Sequence, residues 1–358
     1  MLETLMQQDA DWLSGEGPDS DVALYSQCEL FRNLADYPYP GECTEDEQRA
    51  IEERVHGVLE SLNFLSTGRY WSFNELDERE RRFLVERRLV SAELLSGEGT
   101  HGVYIADDQS FSLSINDKNH LHLCGLASGL SLQDMWARVS LVDDTLAGAL
   151  DYAFSDRLGF LTSSLGQVGT GLHASVILHL PGLHLAKRIS AAVSSADEKR
   201  HTLEGVSAPK ATMPGEFHRP NGSTLGDLYS LKNRSTLGRS EEETFFHLKH
   251  LAAELIKMER EARVEIISSA PLQIEDRVGR ALGLARGARL LAFHEASSVL
   301  SSLRLGVSSG LVDQYSLHQI NELLVASQNA HIEMKSGHAC DEFTLNAERA
   351  DLFRSHFA

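Results

Sequence analysis

The 358-residue chain carries 52 aspartates and glutamates against 33 lysines and arginines, a formal charge of -19, with 42% hydrophobic and 24% charged residues. That length is ample for a large core and for one or two domains, and the fractions are those of a soluble globular protein. So acidic a balance argues against the phosphate backbone of nucleic acid or an anionic membrane as partner, and a bound triphosphate would need local arginines to override it.

The chain opens Met1-Leu2-Glu3-Thr4-Leu5, with no basic region leading into an apolar run, so no secretory signal is expected. Thr44-Glu45-Asp46-Glu47 has the form of a capping box, and Ile51, Val55, Val58, Leu59 and Leu62 follow at helical spacing, which predicts an amphipathic helix. A second, charged helix is expected through Asp77 to Arg88. The period then changes: Gly102–Ala106 and Phe111–Ile115 alternate across an Asp107-Asp108-Gln109-Ser110 turn and predict an antiparallel pair, to which His120–Leu123 adds a strand. Leu130 to Leu150 returns to helical spacing. The longest apolar stretch, around Ala174 to Ala186, is broken by His179, Pro181 and His184 and is too short to span a bilayer.

From Ser194 to Ser223 the chain is polar and scattered with Pro209, Pro214, Pro220, Gly215 and Gly222, the composition of a loop-rich region. Ser240-Glu241-Glu242-Glu243 is a second capping box, and Phe245, Phe246, Leu248, Leu251, Ala252, Leu255 and Met258 mark the inner face of a long helix. Beyond Ala262 the pattern is helical with short breaks expected at Gly283 and Gly287, which places a domain boundary near 262. Cys28, Cys43, Cys124 and Cys340 show no paired spacing, so reduced thiols in a cytoplasmic protein are expected. No cluster has zinc-ligand spacing, and no metal is expected.

Taken alone, Gly169-Thr170-Gly171 is a tight turn more often than a phosphate cradle, Lys118 is a solvated loop lysine, and His179 is a packed core residue. Their neighbours change the weighting. Leu158-Gly159-Phe160-Leu161-Thr162-Ser163, Val168-Gly169-Thr170-Gly171-Leu172 and Ala174-Ser175-Val176-Ile177-Leu178-His179-Leu180-Pro181 together resemble the signature block of the ATP:guanidino phosphotransferases, the phosphagen kinase family. Leu272–Val278, Arg304-Leu305-Gly306 and Ile320–Leu324 narrow the resemblance to the bacterial protein-arginine kinases of the McsB type, and it runs from about Asp21 almost to the end.

The resemblance implies an α+β fold: a small helical N-terminal part, an antiparallel sheet flanked by helices, and a helical C-terminal domain. Residues 1–262 would form the phosphotransferase domain and 263–358 the helical one. It also implies chemistry whose transition-state charge is held by arginine forks and magnesium, with a carboxylate beside the attacking nitrogen. Carried over position by position, that machinery is missing. The first arginine pair falls on Gln27 and Glu29, just before a retained Arg32-Asn33-Leu34. The catalytic loop Asn-Glu-Glu-Asp-His-Leu-Arg becomes Asn116-Asp117-Lys118-Asn119-His120-Leu121-His122, so the general base falls on Lys118 and an arginine on His122. The reactive thiol falls on Ser164, the arginine after Gly-Thr-Gly on His173, and the last arginine on Gly215, with Arg219 a displaced candidate. Asn116, His120, Gly169, Thr170 and Gly171 remain as scaffold. An ammonium cannot accept the substrate's proton.

A charge-assisted hydrogen bond contributes roughly 1.5–3 kcal/mol, so losing about four such contacts weakens nucleotide binding by several orders of magnitude. The motif Arg-Asp-x-x-Arg-Ala, with which the family's arginine kinases read phosphoarginine, falls on Leu345–Ala350, where Arg349 and Ala350 survive and Arg354 follows. The expectation is therefore a pseudokinase that needs no cofactor and binds protein partners: an active protein-arginine kinase, its zinc-binding activator, a Clp unfoldase, or a second copy as a homodimer. Two alternatives stand beside it. One is an active Mg-ATP-dependent kinase rebuilt around Asp117, Glu29, Arg32 or Arg219. The other is a phosphoarginine or anion module in which Arg349, Arg354, His122 and His173 converge, the histidines gripping anions better in acid.

Overall fold

The computed structural model describes residues 2–97, 99–206 and 225–358. Its strands are β1 (Ala23–Arg32), β2 (Gly68–Ser72), β3 (Gly102–Ala106), β4 (Phe111–Ile115), β5 (Leu121–Ser128), β6 (Phe154–Ser155), β7 (Gly159–Phe160), β8 (Leu172–His179), β9 (His201–Gly205) and β10 (Leu228–Asn233). Its helices are α1 (Glu3–Gln7), α2 (Glu45–Ser61), α3 (Glu78–Glu86), α4 (Leu132–Ala147), α5 (Pro181–Leu185), α6 (Ile189–Glu198), α7 (Glu241–Ser269), α8 (Pro271–Gly287), α9 (Phe293–Ser308), α10 (Leu317–Ala326), α11 (Asn329–Ser336) and α12 (Glu342–Phe357). Eight strands form one sheet in the order β2-β3-β4-β5-β1-β8-β10-β9, every pairing antiparallel. The class is α+β, as the resemblance implies.

The N-terminal part is not only helical, because β1 runs through the centre of the sheet between β5 and β8. Its residues alternate between two environments. Cys28 and Leu30 face a core shared with Ile51 and Val55 of α2, Met135 and Val139 of α4, and Leu248 and Leu255 of α7. Gln27 and Glu29 are the two residues of the strand left half-buried, on the opposite face. That opposite face is closed at one end by Trp12, Leu13 and Val325, which pack with Tyr25, Leu126 and Ile177.

Both expected capping boxes form, at Thr44/Glu47 and Ser240/Glu243, and two more occur at Asp77/Glu80 and Ser316/Gln319. Gly283 does not break a helix: it lies inside α8, where a Cβ would meet nothing. The stretch from Ser194 is not wholly loop, since α6 continues to Glu198 and β9 follows as an edge strand on β10. The rest of that stretch, including Gly215 and Arg219, lies outside the described residues. Helix α7 runs on past position 262 to Ser269, and Pro271 starts α8.

The C-terminal helices are fastened to the N-terminal segment by buried polar contacts. Glu86 accepts the amides of Ala330 (2.9 Å) and His331 (3.1 Å) at the start of α11, and Asn321 Nδ2 donates to the carbonyl of Leu13 at 3.1 Å. Arg82 pairs with Glu333 at 2.6 Å, with both side chains largely buried. These contacts hold α10 and α11 beside the sheet face that carries Gln27 and Glu29.

Candidate active site

Register assembles the site. Glu29 lies opposite Cys124 on β5 and opposite His173 on β8, while His122 lies opposite Phe31, one diagonal step from Glu29. All five side chains share one face because side chains alternate along each strand. His122 is stacked on Phe31 with ring centroids 4.6 Å apart, and His173 meets the edge of the same ring at 5.4 Å. Beside them opens a cleft of about 310 Å3, lined by Gln27, Glu29, His122 and Cys124 from the sheet and by Val85 and residues 88–93 after α3.

His122 is 4% exposed and sits between two carboxylates, its Nε2 3.0 Å from Glu29 Oε1 and its Nδ1 3.2 Å from Asp117 Oδ2. Burial by itself would depress the imidazole, but the hydrogen bonds and charges of Asp117 and Glu29 override it and raise it to about 10. Burial likewise pushes both carboxylates up, and the imidazolium outweighs that, so each is held below its ordinary range. Ser91 Oγ donates to Asp117 Oδ2 at 2.7 Å. His122 is thus a cation at neutral pH, but both of its N–H groups are spent on carboxylates. This corrects the expectation of an acid-favoured histidine anion site: His122 is charged already, and its charge is cancelled from within.

Lys118, where the resemblance places the general base, is 57% exposed and pairs with Glu93 at 2.8 Å. It stands at the cleft rim as a solvated ion pair. Arg32 does not face the cleft. It is buried, with Nε and Nη2 on Asp143 (the shorter contact 2.6 Å), Nη1 on the carbonyls of Phe31 and Thr170, and its guanidinium 3.5 Å from the centroid of the Phe160 ring. That removes Arg32 from a rebuilt phosphate grip.

The retained scaffold residues have packing roles. Gly171 (φ +64°) leaves no room for a side chain: a Cβ would lie 2.6 Å from Arg32 Nη1 and from the Phe31 carbonyl. The Gly169 amide donates to Phe160 and that of Thr170 to Thr236, so two amides of the glycine turn are engaged by protein. His120 is fully buried; it accepts the Leu34 amide at Nδ1 and donates from Nε2 to the Pro38 carbonyl, at 2.9 Å each, and burial pulls it down to about 4. Asn116 holds the carbonyls of Gln48 and Thr100, and Asn119 takes the Ser163 amide. His179 is buried against Ser301, a packed residue as expected.

The C-terminal remnant does not converge on this face. Arg349 is 1% exposed and gives its hydrogen bonds to the carbonyls of Ser327 and Leu291 and to Asn346 and Asn329; burial lowers it to about 10. Arg354 is committed to the Ala288 carbonyl and to Asp351, and Ala350 is buried in the α8/α9/α12 core. The expected convergence of these arginines with the histidines is therefore not realised.

Residues 50–262 match the model for the ATP:guanido phosphotransferase C-terminal catalytic domain, and residues 271–358 match that for the protein-arginine kinase McsB C-terminal domain. The chain belongs to the ATP:guanido phosphotransferase family. Within it, the chain is similar over its whole length to proteins named protein-arginine kinase: 34% identical to one from Symbiobacterium thermophilum, covering 99% of each chain, and 33% identical to one from Pelotomaculum thermopropionicum, covering 100% of this chain and 98% of the other. Among solved structures it shares the fold of lombricine kinase, with TM-score 0.57, 19% identity and 71% of each chain covered. It also shares that of the duplicated taurocyamine kinase from Schistosoma mansoni, with TM-score 0.56, 20% identity, and 66% of this chain and 33% of the other covered.

Sequence reasoning missed three residues at or beside this cleft. Phe31 and Ser91 support His122 and Asp117, and Arg88 contributes a guanidinium that has no ion-pair or hydrogen-bond partner among the described residues. Arg88 carries no motif that marks it in the sequence; the structure shows it with a left-handed backbone (φ +62°) just after α3, lining the cleft. A grouping outside the cleft, Asp9, His318 and Glu322, brings possible ligand atoms within 4.8 Å, but its residues are exposed or half-buried, as surface acidic groups commonly are. No helix among the described residues is long and apolar enough to cross a membrane.

Proposed function

We propose that this chain is a catalytically inactive protein-arginine kinase homologue that acts by binding proteins in the arginine-phosphorylation and Clp proteolysis system of the cytoplasm. The observation that carries this reading is the Glu29–His122–Asp117 triad, which fills the phosphate-gripping position with an internally neutralised ion cluster. The described residues at the cleft do not fit Mg-ATP. Gln27 and Glu29 stand where two guanidinium groups would be needed, His122 is cancelled, and the base position holds an ammonium paired with Glu93. Removing a general base alone costs roughly 10²–10⁴ in rate. An active protein-arginine kinase, its zinc-binding activator, a Clp unfoldase and a second copy of the chain are the partner classes this reading names.

The second reading is an active protein-arginine kinase rebuilt around Asp117. The names of the full-length relatives favour it, as does a carboxylate held ionised at the cleft edge. Calorimetry with Mg-ATP, run beside a phosphoarginine-sensitive transfer assay, separates the two. The pseudokinase reading expects neither binding nor transfer, while turnover that disappears in Asp117→Asn establishes the other. The phosphoarginine-module reading is supported least, because the guanidinium groups of Arg349 and Arg354 are already engaged.

A further inference from the structure

The cleft beside Glu29 has fixed charges on two walls that do not pair with each other. Glu29 gives one oxygen to His122, and its other oxygen takes no hydrogen bond among the described residues. Arg88 lines the same cleft with no hydrogen-bond or ion-pair partner among the described residues. Both act electrostatically on the Cys124 thiol between them, Glu29 raising it and Arg88 lowering it, yet no ion pair joins the two. Among the described residues the charges at the cleft balance: Glu29 and Asp117 against His122 and Arg88, with Lys118 and Glu93 paired at the rim. Among the described residues a triphosphate would meet one free cation there. A neutral ligand carrying one charge of each sign would meet both walls.

We infer that this cleft binds the zwitterion of a free α-amino acid, its carboxylate on Arg88 and its ammonium on Glu29. Size and charge agree with that class. The volume of about 310 Å3 is at the small end of ligand pockets, and Val85, Leu89 and Val90 line it beside the charged residues with their side chains turned into the neighbouring core. The inference rests on the reading of the cleft as one that no longer grips a triphosphate.

The test is calorimetric titration of the full chain with L-leucine, with 4-methylpentanoate, which lacks the ammonium, and with 3-methylbutylamine, which lacks the carboxylate. Saturable leucine binding is expected, weakened at least tenfold in Glu29→Gln and in Arg88→Gln and at least tenfold weaker for either half-ligand. Thermal unfolding without ligand establishes that each variant is folded. Absence of leucine binding, binding unchanged by both substitutions, or equal binding of 4-methylpentanoate overturns the proposal. Mg-ATP is titrated in parallel. Tight Mg-ATP binding with arginine phosphorylation defeats the pseudokinase reading itself, whereas no heat from either ligand defeats the amino-acid site alone.

Discussion

Replacing Glu29 by glutamine tests the electrostatics on which the site rests. In the native fold His122 is raised from its ordinary 6.5 to about 10 by Asp117 and Glu29 against the opposing effect of burial. Because the folded state binds the proton more tightly than the unfolded chain, this interaction stabilises fully below about pH 6.5 and is lost progressively as pH rises towards about 10; by linkage it is worth on the order of 5 kcal/mol. Glu29→Gln keeps the shape and a hydrogen-bond acceptor but removes one of the two charges. A charge-assisted hydrogen bond contributes roughly 1.5–3 kcal/mol, equivalent to about 1–2 pKa units on the imidazole. The variant should therefore lose roughly that much unfolding free energy at pH 7, and the difference from wild type should shrink as pH approaches 10. Urea unfolding between pH 6 and pH 10 gives the energies, and an NMR titration of the His122 ring gives its protonation. Wild-type His122 titrating near 6.5, or wild-type stability that does not fall between pH 7 and pH 10, would refute the reasoning.

The remaining predictions concern the scaffold and the positions at which the proposed reading finds no free cation. Gly171→Ala combines a left-handed backbone with a Cβ 2.6 Å from Arg32 Nη1 and the Phe31 carbonyl, and thermal unfolding should record a loss of about 3 kcal/mol. Arg349→Met strands buried acceptors, among them the carbonyls of Ser327 and Leu291, and should cost about 3 kcal/mol in urea unfolding. His120 is held neutral, at about 4, so the unfolded chain takes up its proton first as pH falls below about 6.5, and acid unfolding should move to lower pH when His120 is replaced by glutamine in a variant that still folds. His122→Arg alone should leave Mg-ATP affinity nearly unchanged, since Glu29 and Asp117 would neutralise the new guanidinium. Adding Glu29→Arg and His173→Arg should raise it by roughly a hundredfold or more, and a calorimetric series that shows no gain would place the defect elsewhere in the cleft.

The sequence by itself determined the family, the fold class and most of the periodic elements. The signature around Gly169–Leu172, the capping boxes at Thr44 and Ser240, and the alternation in Gly102–Ala106 and Phe111–Ile115 depend on neighbours a few residues away, so they are legible along the chain. It also drew attention to Gln27, Glu29, Lys118, His122 and His173, because the resemblance expects charged groups of other kinds at those positions. Tertiary structure decided what those positions do. Glu29 and His122 are 93 residues apart, and only the pairing of β1 with β5 brings them into contact, turning two apparent losses into one buried ion cluster with Asp117. The same holds for Arg32 and Arg349, which read as candidate anion ligands and are instead consumed by partners more than twenty residues away, Asp143 at 2.6 Å and the Ser327 carbonyl at 2.7 Å. A side chain's charge is written in the sequence, but whether that charge is free depends on what folding places beside it, because a buried charge is stable only when it is paired or hydrogen-bonded.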